Sequence, residues 1–154
     1  RRLVARPLDG VEVVVALTGA EESGMAGMAA FLDAHPLDPG DAFVLGLDTI
    51  GSGRPIVAVG EATLLPHRYR EADVAFVERA ARDAGLAPPV RWRTGAWTDP
   101  VLATFRGLPA VSLLSVDAQG GYGRYHVPQD TPEHVDLGSV ARCVDLAEAV
   151  ARAL

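Results

Sequence analysis

Apolar residues in this 154-residue chain fall into short unbroken runs that alternate with stretches of helical spacing. Val11–Leu17 (VEVVVAL), apolar and β-branched apart from Glu12, predicts a strand covered on both faces. Ala42–Leu47 (AFVLGL) predicts a second strand that ends at Asp48, and Ile56–Val59 a third. Val90–Arg93 reads as an edge strand, and 108–116 (LPAVSLLSV) as another buried one. Helical spacing runs from Gly24 to about Ala34 through Met25, Met28, Ala29 and Leu32, with Ser23 as the expected N-cap. A second helix spans 70–85, with Val74, Val77 and Ala81 on one face and Gly85 as its stop. Asp99-Pro100 supplies a cap and first turn for a helix through Phe105. After a Gly- and Tyr-rich loop from Asp117 to Thr131, Leu137–Leu154 predicts a closing helix with Val140, Val144, Ala147 and Val150 inward.

Helices follow strands repeatedly, so the pattern predicts an α/β fold: a mostly parallel central sheet with helices on both faces. The late strands fit either direction. No repeat, low-complexity tract or interdomain linker interrupts residues 1–154, which read as a single domain. Apolar residues make up 49% of the chain and charged ones 22%, the composition of a globular protein. The longest apolar run is too short to span a bilayer, and RRLVARPLDG has no apolar core of the signal-peptide kind. A net charge of −6 argues against nucleic acid as a partner. All fourteen basic residues are Arg, a bias that a GC-rich coding sequence explains. Cys143, the one cysteine, falls in the apolar stripe of the last helix and reads as a buried thiol.

Chemistry concentrates where the predicted strands end. In open α/β sheets ligands bind beyond the carboxyl ends of strands. Glu21 and Glu22 follow the first strand, Asp48 ends the second, and His126 lies in the loop after the last. Each has an ordinary reading as well: a helix-start acid pair, a turn residue, a loop histidine. Adjacent acids repel, and a divalent cation would neutralise them. Mixed carboxylate and imidazole donors suit zinc. Other chemistries lack their signatures: no G-x-S-x-G is present, and GSG (51–53) and GGYG (120–123) lack the phosphate-loop residues.

LTGAEESGMAGMAAF, LGLDTIGSG and YHVPQDTPEHVD, in that order, resemble the co-catalytic zinc aminopeptidases, a family that includes glutamate carboxypeptidase II and the glutaminyl cyclases. TDP…F…GLPAVSL (98–114) is similar to the family's stretch before its last strand. The resemblance implies two zinc ions about 3.5–4 Å apart sharing a water. It assigns Glu21 as general base, Glu22 and His126 as ligands of one zinc and Asp48 as a ligand of the other. Tyr125 matches a tyrosine that hydrogen-bonds the scissile carbonyl in some members; it reads equally as an aromatic plug in its loop. Asp130 and Thr131 match a D-T element expected to cap the turn before the last helix. Arg124 could face an acidic substrate group or be solvated. His35, His67 and His134 have no counterpart among the ligands and are expected at the surface. The implied reaction is exopeptidase hydrolysis of a peptide with a free N-terminus.

One departure from the pattern is large. The family's HxD and bridging Asp precede the Glu-Glu pair, and the first twenty residues here hold no histidine and a single Asp, Asp9. The chain is therefore expected to be the C-terminal portion of a zinc-peptidase catalytic domain lacking its N-terminal strands. It is expected to be inactive alone and to self-associate through the exposed sheet edge. The alternative is a noncatalytic interaction or scaffolding domain of peptidase ancestry.

Overall fold

A computed structural model describes residues 2–62 and 64–154. The elements in order are α1 (Arg2–Ala5), α2 (Ala26–Ala34), β1 (Val44–Leu47), β2 (Arg54–Glu61), β3 (His67–Arg68), α3 (Glu71–Asp83), β4 (Val90–Arg93), α4 (Pro100–Phe105), β5 (Ala110–Val116) and α5 (Leu137–Ala153). Short 3-10 turns occupy Glu21–Ser23 and Pro132–His134.

The five strands form one sheet in which β5 lies between β1 and β2, with β3 and β4 both pairing β2. β1 is parallel to β5 and β4 to β2, while β2 runs antiparallel to β5 and to β3. The sheet is thus mixed, with the late strand β5 taking both directions of neighbour. Its seven residues, five apolar and two serines, are all buried. Helices pack on both faces: α3 and α5 against β2 and β5, α4 against β1 and β5. Ile56, Val57, Val74, Val77, Val111 and Leu113 form the main core, each at most 1% exposed. Each such side chain contributes about 1.5–3 kcal/mol by leaving water. A smaller cluster joins Met25, Met28 and Leu32 of the α2 segment to Ala103, Leu108 and Ala110.

Most predicted elements are present, and the differences have physical causes. Val11–Leu17 is not a strand: no described residue pairs with it, and Val14, Val15 and Leu17 are 62%, 78% and 94% exposed. β-structure needs a ladder partner, whatever the propensity of the run. Ser23 does not cap α2, because Met25, left-handed at φ 59°, occupies that position with no side-chain cap. Asp99 likewise makes no capping bond and instead accepts from the Thr18 hydroxyl. In α5 the inward face is Ser139, Cys143, Leu146, Ala149 and Val150, while Val144 points outward. The cap of that helix is Asp136, which accepts from the Gly138 N–H at 2.8 Å. Thr131 caps nothing; its hydroxyl meets His134 Nδ1 at 3.0 Å. His67 is half-buried rather than superficial, 2.9 Å from the Thr104 hydroxyl and edge-on to Tyr69 and Phe105.

β1 reaches α4 only because position 46 lacks a side chain: a Cβ on Gly46 would collide with Pro100 Cγ and Cδ. Gly46→Ala should therefore destabilise the chain by about 1–3 kcal/mol, measured by urea denaturation. An unchanged midpoint would contradict this packing.

Candidate functional site

The Glu-Glu pair is held in its 3-10 turn by unusual backbone on both sides. Ala20 (φ 56°), Gly24 (φ 77°) and Met25 (φ 59°) are left-handed. Met25 N–H donates to the Glu21 carbonyl at 2.7 Å and Gly27 N–H to the Gly19 carbonyl at 2.9 Å. A Cβ on Gly27 would strike that carbonyl, so glycine is what lets α2 start so close to the turn. Glu21 is left half-buried and Glu22 exposed.

Asp48 extends β1 onto the sheet edge, its N–H donating to the Leu113 carbonyl at 3.1 Å. The Thr49 hydroxyl donates to Asp48 Oδ1 at 2.6 Å, and the Thr49 carbonyl accepts from the Ser115 hydroxyl at 2.9 Å. Asp48 is thereby fixed to β5. From the end of β5 the loop 117–131 begins with a tight turn in which Asp117 Oδ1 accepts from the Gln119 and Gly121 amides at 2.9 and 2.8 Å. It then lays Tyr125 flat on His126, the ring centroids 3.7 Å apart. His126 Nε2 lies 2.7 Å from Glu22 Oε1.

Glu21, Glu22 and Asp48 line one small cavity of roughly 50 Å³, walled by Trp97, Tyr122 and Tyr125. All five residues singled out from the sequence meet here: Glu22 and His126 in contact, Tyr125 on His126, Glu21 and Asp48 facing the same space. Burial pushes the Glu21 carboxyl above the ordinary range, and the charges of Asp48, Glu22, Asp99 and Glu61 push it the same way. Burial also raises the Tyr125 phenol, with Glu22, Glu21 and Asp48 adding to the effect. A half-buried acid whose proton affinity is raised by burial and by neighbouring acids marks a place for a cation or a proton.

Backbone strain collects at the same place. The non-glycine residues with positive φ are Ala20, Met25, Thr49, Ala62 and His126. Ala20 precedes Glu21, Thr49 follows Asp48, and His126 is itself one of the residues gathered. Such conformations cost about 1–3 kcal/mol each and cluster where geometry serves function.

The donors fit zinc in kind: carboxylate and imidazole within reach of one ion at Glu22 and His126, and a second carboxylate at Asp48. They do not close a site, since no group of three or more His, Cys, Asp or Glu in ligating arrangement occurs among the described residues. His35 and His134 are exposed and apart from the cavity. Arg124 is exposed and makes no ion pair among the described residues.

Sequence reasoning passed over Glu61, the last residue of β2, which is completely buried. The signal was present: IVAVGE (56–61) is an apolar run that ends in an acid, as the runs before Glu21 and Asp48 do. Trp97 and Tyr122 had no such signal, because aromatic residues in loops carry no spacing to read.

Peptidase family M28 matches residues 1–151. In fold the chain is similar to BSAP, a zinc aminopeptidase from Bacillus subtilis, in two structures. Their TM-scores are 0.66 and 0.65, each at 22% identity over 86% of this chain and 33% of that one. It is also similar to an aminopeptidase from Aneurinibacillus sp. strain AM-1, with TM-score 0.60 and 21% identity over 86% of this chain and 31% of that one. The chain therefore spans about a third of the length of these structures. No curated protein matches the sequence. Identities this low carry the fold alone, whereas the family match runs nearly end to end and includes every acid gathered at the cavity: the chain belongs to peptidase family M28.

Proposed function

We propose that residues 1–154 supply the general-base side and part of the metal-binding side of a zinc-dependent exopeptidase of aminopeptidase type. The observation that carries this reading is the contact between Glu22 and His126, 104 residues apart in sequence, at the cavity that also holds Glu21 and Asp48. Glu22 and His126 would hold one zinc and Asp48 would contribute to a second. Zinc supplies a water acidified toward neutrality and a Lewis acid for the carbonyl. Glu21, whose carboxyl burial and neighbouring acids raise above the ordinary range and so make a stronger base, would accept the proton of the attacking water and return it to the leaving amine. Tyr125 keeps its phenolic proton and donates it as a hydrogen bond to the oxygen on which charge develops. The acidic lining suits a substrate that brings a free ammonium group.

The family's HxD and bridging Asp have no counterpart among these residues, so turnover is assigned to a polypeptide that carries them and not to residues 1–154 alone. In such a polypeptide Glu21→Gln should lower kcat on aminoacyl nitroanilides by about 10²–10⁴-fold while metal content is kept. N-acetylation of the substrate should abolish cleavage. Undiminished turnover in the variant removes Glu21 from the mechanism; no turnover in the wild type favours the noncatalytic interaction domain.

Val14, Val15 and Leu17 are exposed apolar side chains of one short segment, and the edge of β1 away from β5 pairs with no described strand; both features suit a second copy. Light scattering of the isolated chain should report dimers or larger species, lost in Val15→Lys. A concentration-independent monomer contradicts this assignment.

A further inference from the structure

Glu61 carries no solvent-accessible surface, and no described cation pairs with it. Its carboxylate instead gathers neutral donors. The Thr98 N–H donates to Oε2 at 2.7 Å, while the Thr98 and Tyr69 hydroxyls each reach Oε1 at 2.8 Å. Ser112 closes the network, 2.8 Å from the Tyr69 hydroxyl and 2.6 Å from that of Thr98. A buried acid of this kind is expensive to keep, and replacing it with an apolar residue is often harmless in a core that needs only packing.

What the carboxylate holds is a wall of the cavity. Ala96, Trp97 and Thr98 line the same space as Glu21, Glu22 and Asp48. Two backbone bonds tie this strip to the end of β2, from Thr94 N–H to the Gly60 carbonyl at 3.1 Å and from Ala62 N–H to the Ala96 carbonyl at 3.0 Å. Beyond Ala96 the ties to β2 that fix the strip are made by Glu61. The left-handed Ala62 (φ 62°) follows it directly, turning the chain back so that Glu61 and Ala62 grip the same strip.

We propose that Glu61 is a positioning residue that sets the width of the cavity by fixing Thr98, and with it Trp97, in the lining they share with Glu21, Glu22 and Asp48. Its function as a reach between β2 and the wall matters more than its charge. This rests on the peptidase reading for its kinetic consequence but not for its structural one. Burial raises the Glu61 carboxyl; an amide of the same length can still accept from the Thr98 N–H through its oxygen while its nitrogen donates to the rotatable Thr98 and Tyr69 hydroxyls.

Two variants separate reach from charge. Glu61→Asp keeps the charge and shortens the side chain by one methylene; Glu61→Gln keeps the length and removes the charge. In amide spectra of residues 1–154, Glu61→Asp should shift the Thr98 amide and the Trp97 indole strongly, and Glu61→Gln should shift Trp97 little. In a polypeptide with the full ligand set, Glu61→Asp should raise KM about tenfold with kcat changed less than about threefold, and Glu61→Gln should restore KM. A merely structural role would lower kcat with KM unchanged, in proportion to the folded fraction. That result, or the reverse ranking in which Gln disturbs Trp97 and KM more than Asp does, would overturn the proposal. Absence of turnover in the wild type would overturn the peptidase reading alone, and the Trp97 and Thr98 shifts would still decide where Glu61 holds the wall.

Discussion

Strand β5 exposes none of its seven residues, so every one of its amides and carbonyls must find a partner inside the molecule. β1 pairs its first half, Ala110–Leu113, and β2 its second, Leu113–Val116, while the Ala110 N–H donates to Asp73 Oδ2 and the Ser115 N–H to the Thr49 carbonyl. The site depends on this requirement. Because β1 is in register with β5 from Val44 to Leu47, the next residue, Asp48, falls where the β5 backbone can still bond it. Because β2 is held on the other side, Glu61 lies within reach of Thr98 and, through it, of Ser112 in β5. The loop that carries Tyr125 and His126 leaves from the end of the same strand. A single buried strand therefore fixes several chemical groups at once, and the cavity needs no scaffold of its own.

Electrostatics runs against this arrangement and gives it meaning. Glu21, Glu22 and Asp48 share a lining with no arginine in it, although the chain has fourteen basic residues to offer. Arginines pair acids elsewhere: Arg91 with Glu71 and Glu78, Arg106 with Asp33, Arg152 with Glu148. Left to one another, the cavity acids raise the proton affinity of Glu21. A bound cation would reverse that penalty, and the strained backbone at Ala20, Thr49 and His126 adds to it.

Much of this was legible in the sequence, for identifiable reasons. β5 and α3 were readable because their burial is uniform or strictly periodic, and Glu21, Glu22 and Asp48 because each follows an apolar run. His126 was legible from its place in the loop after the last strand, whereas Tyr125 was legible only through resemblance, since a loop has no periodicity. The strand expected at Val11–Leu17 failed because strand formation is a property of pairs: the run has the composition but no described neighbour to bond. Ser23 and Asp99 failed as caps because left-handed Met25 and the Thr18 hydroxyl claimed their places. Val144 was misplaced by a rotation of about one residue around α5, where Ser139 and Cys143, less apolar by composition, fill the inward positions.

The proposed function requires that Glu22 and His126 form one half of a zinc site. Anomalous diffraction at the zinc edge, from crystals of residues 1–154 grown with zinc, tests it directly. The account predicts a peak bonded to Glu22 Oε1 and His126 Nε2 at about 2.0–2.2 Å. Zinc found only on the exposed His35 or His134, with the contact between Glu22 and His126 unbroken, would contradict it.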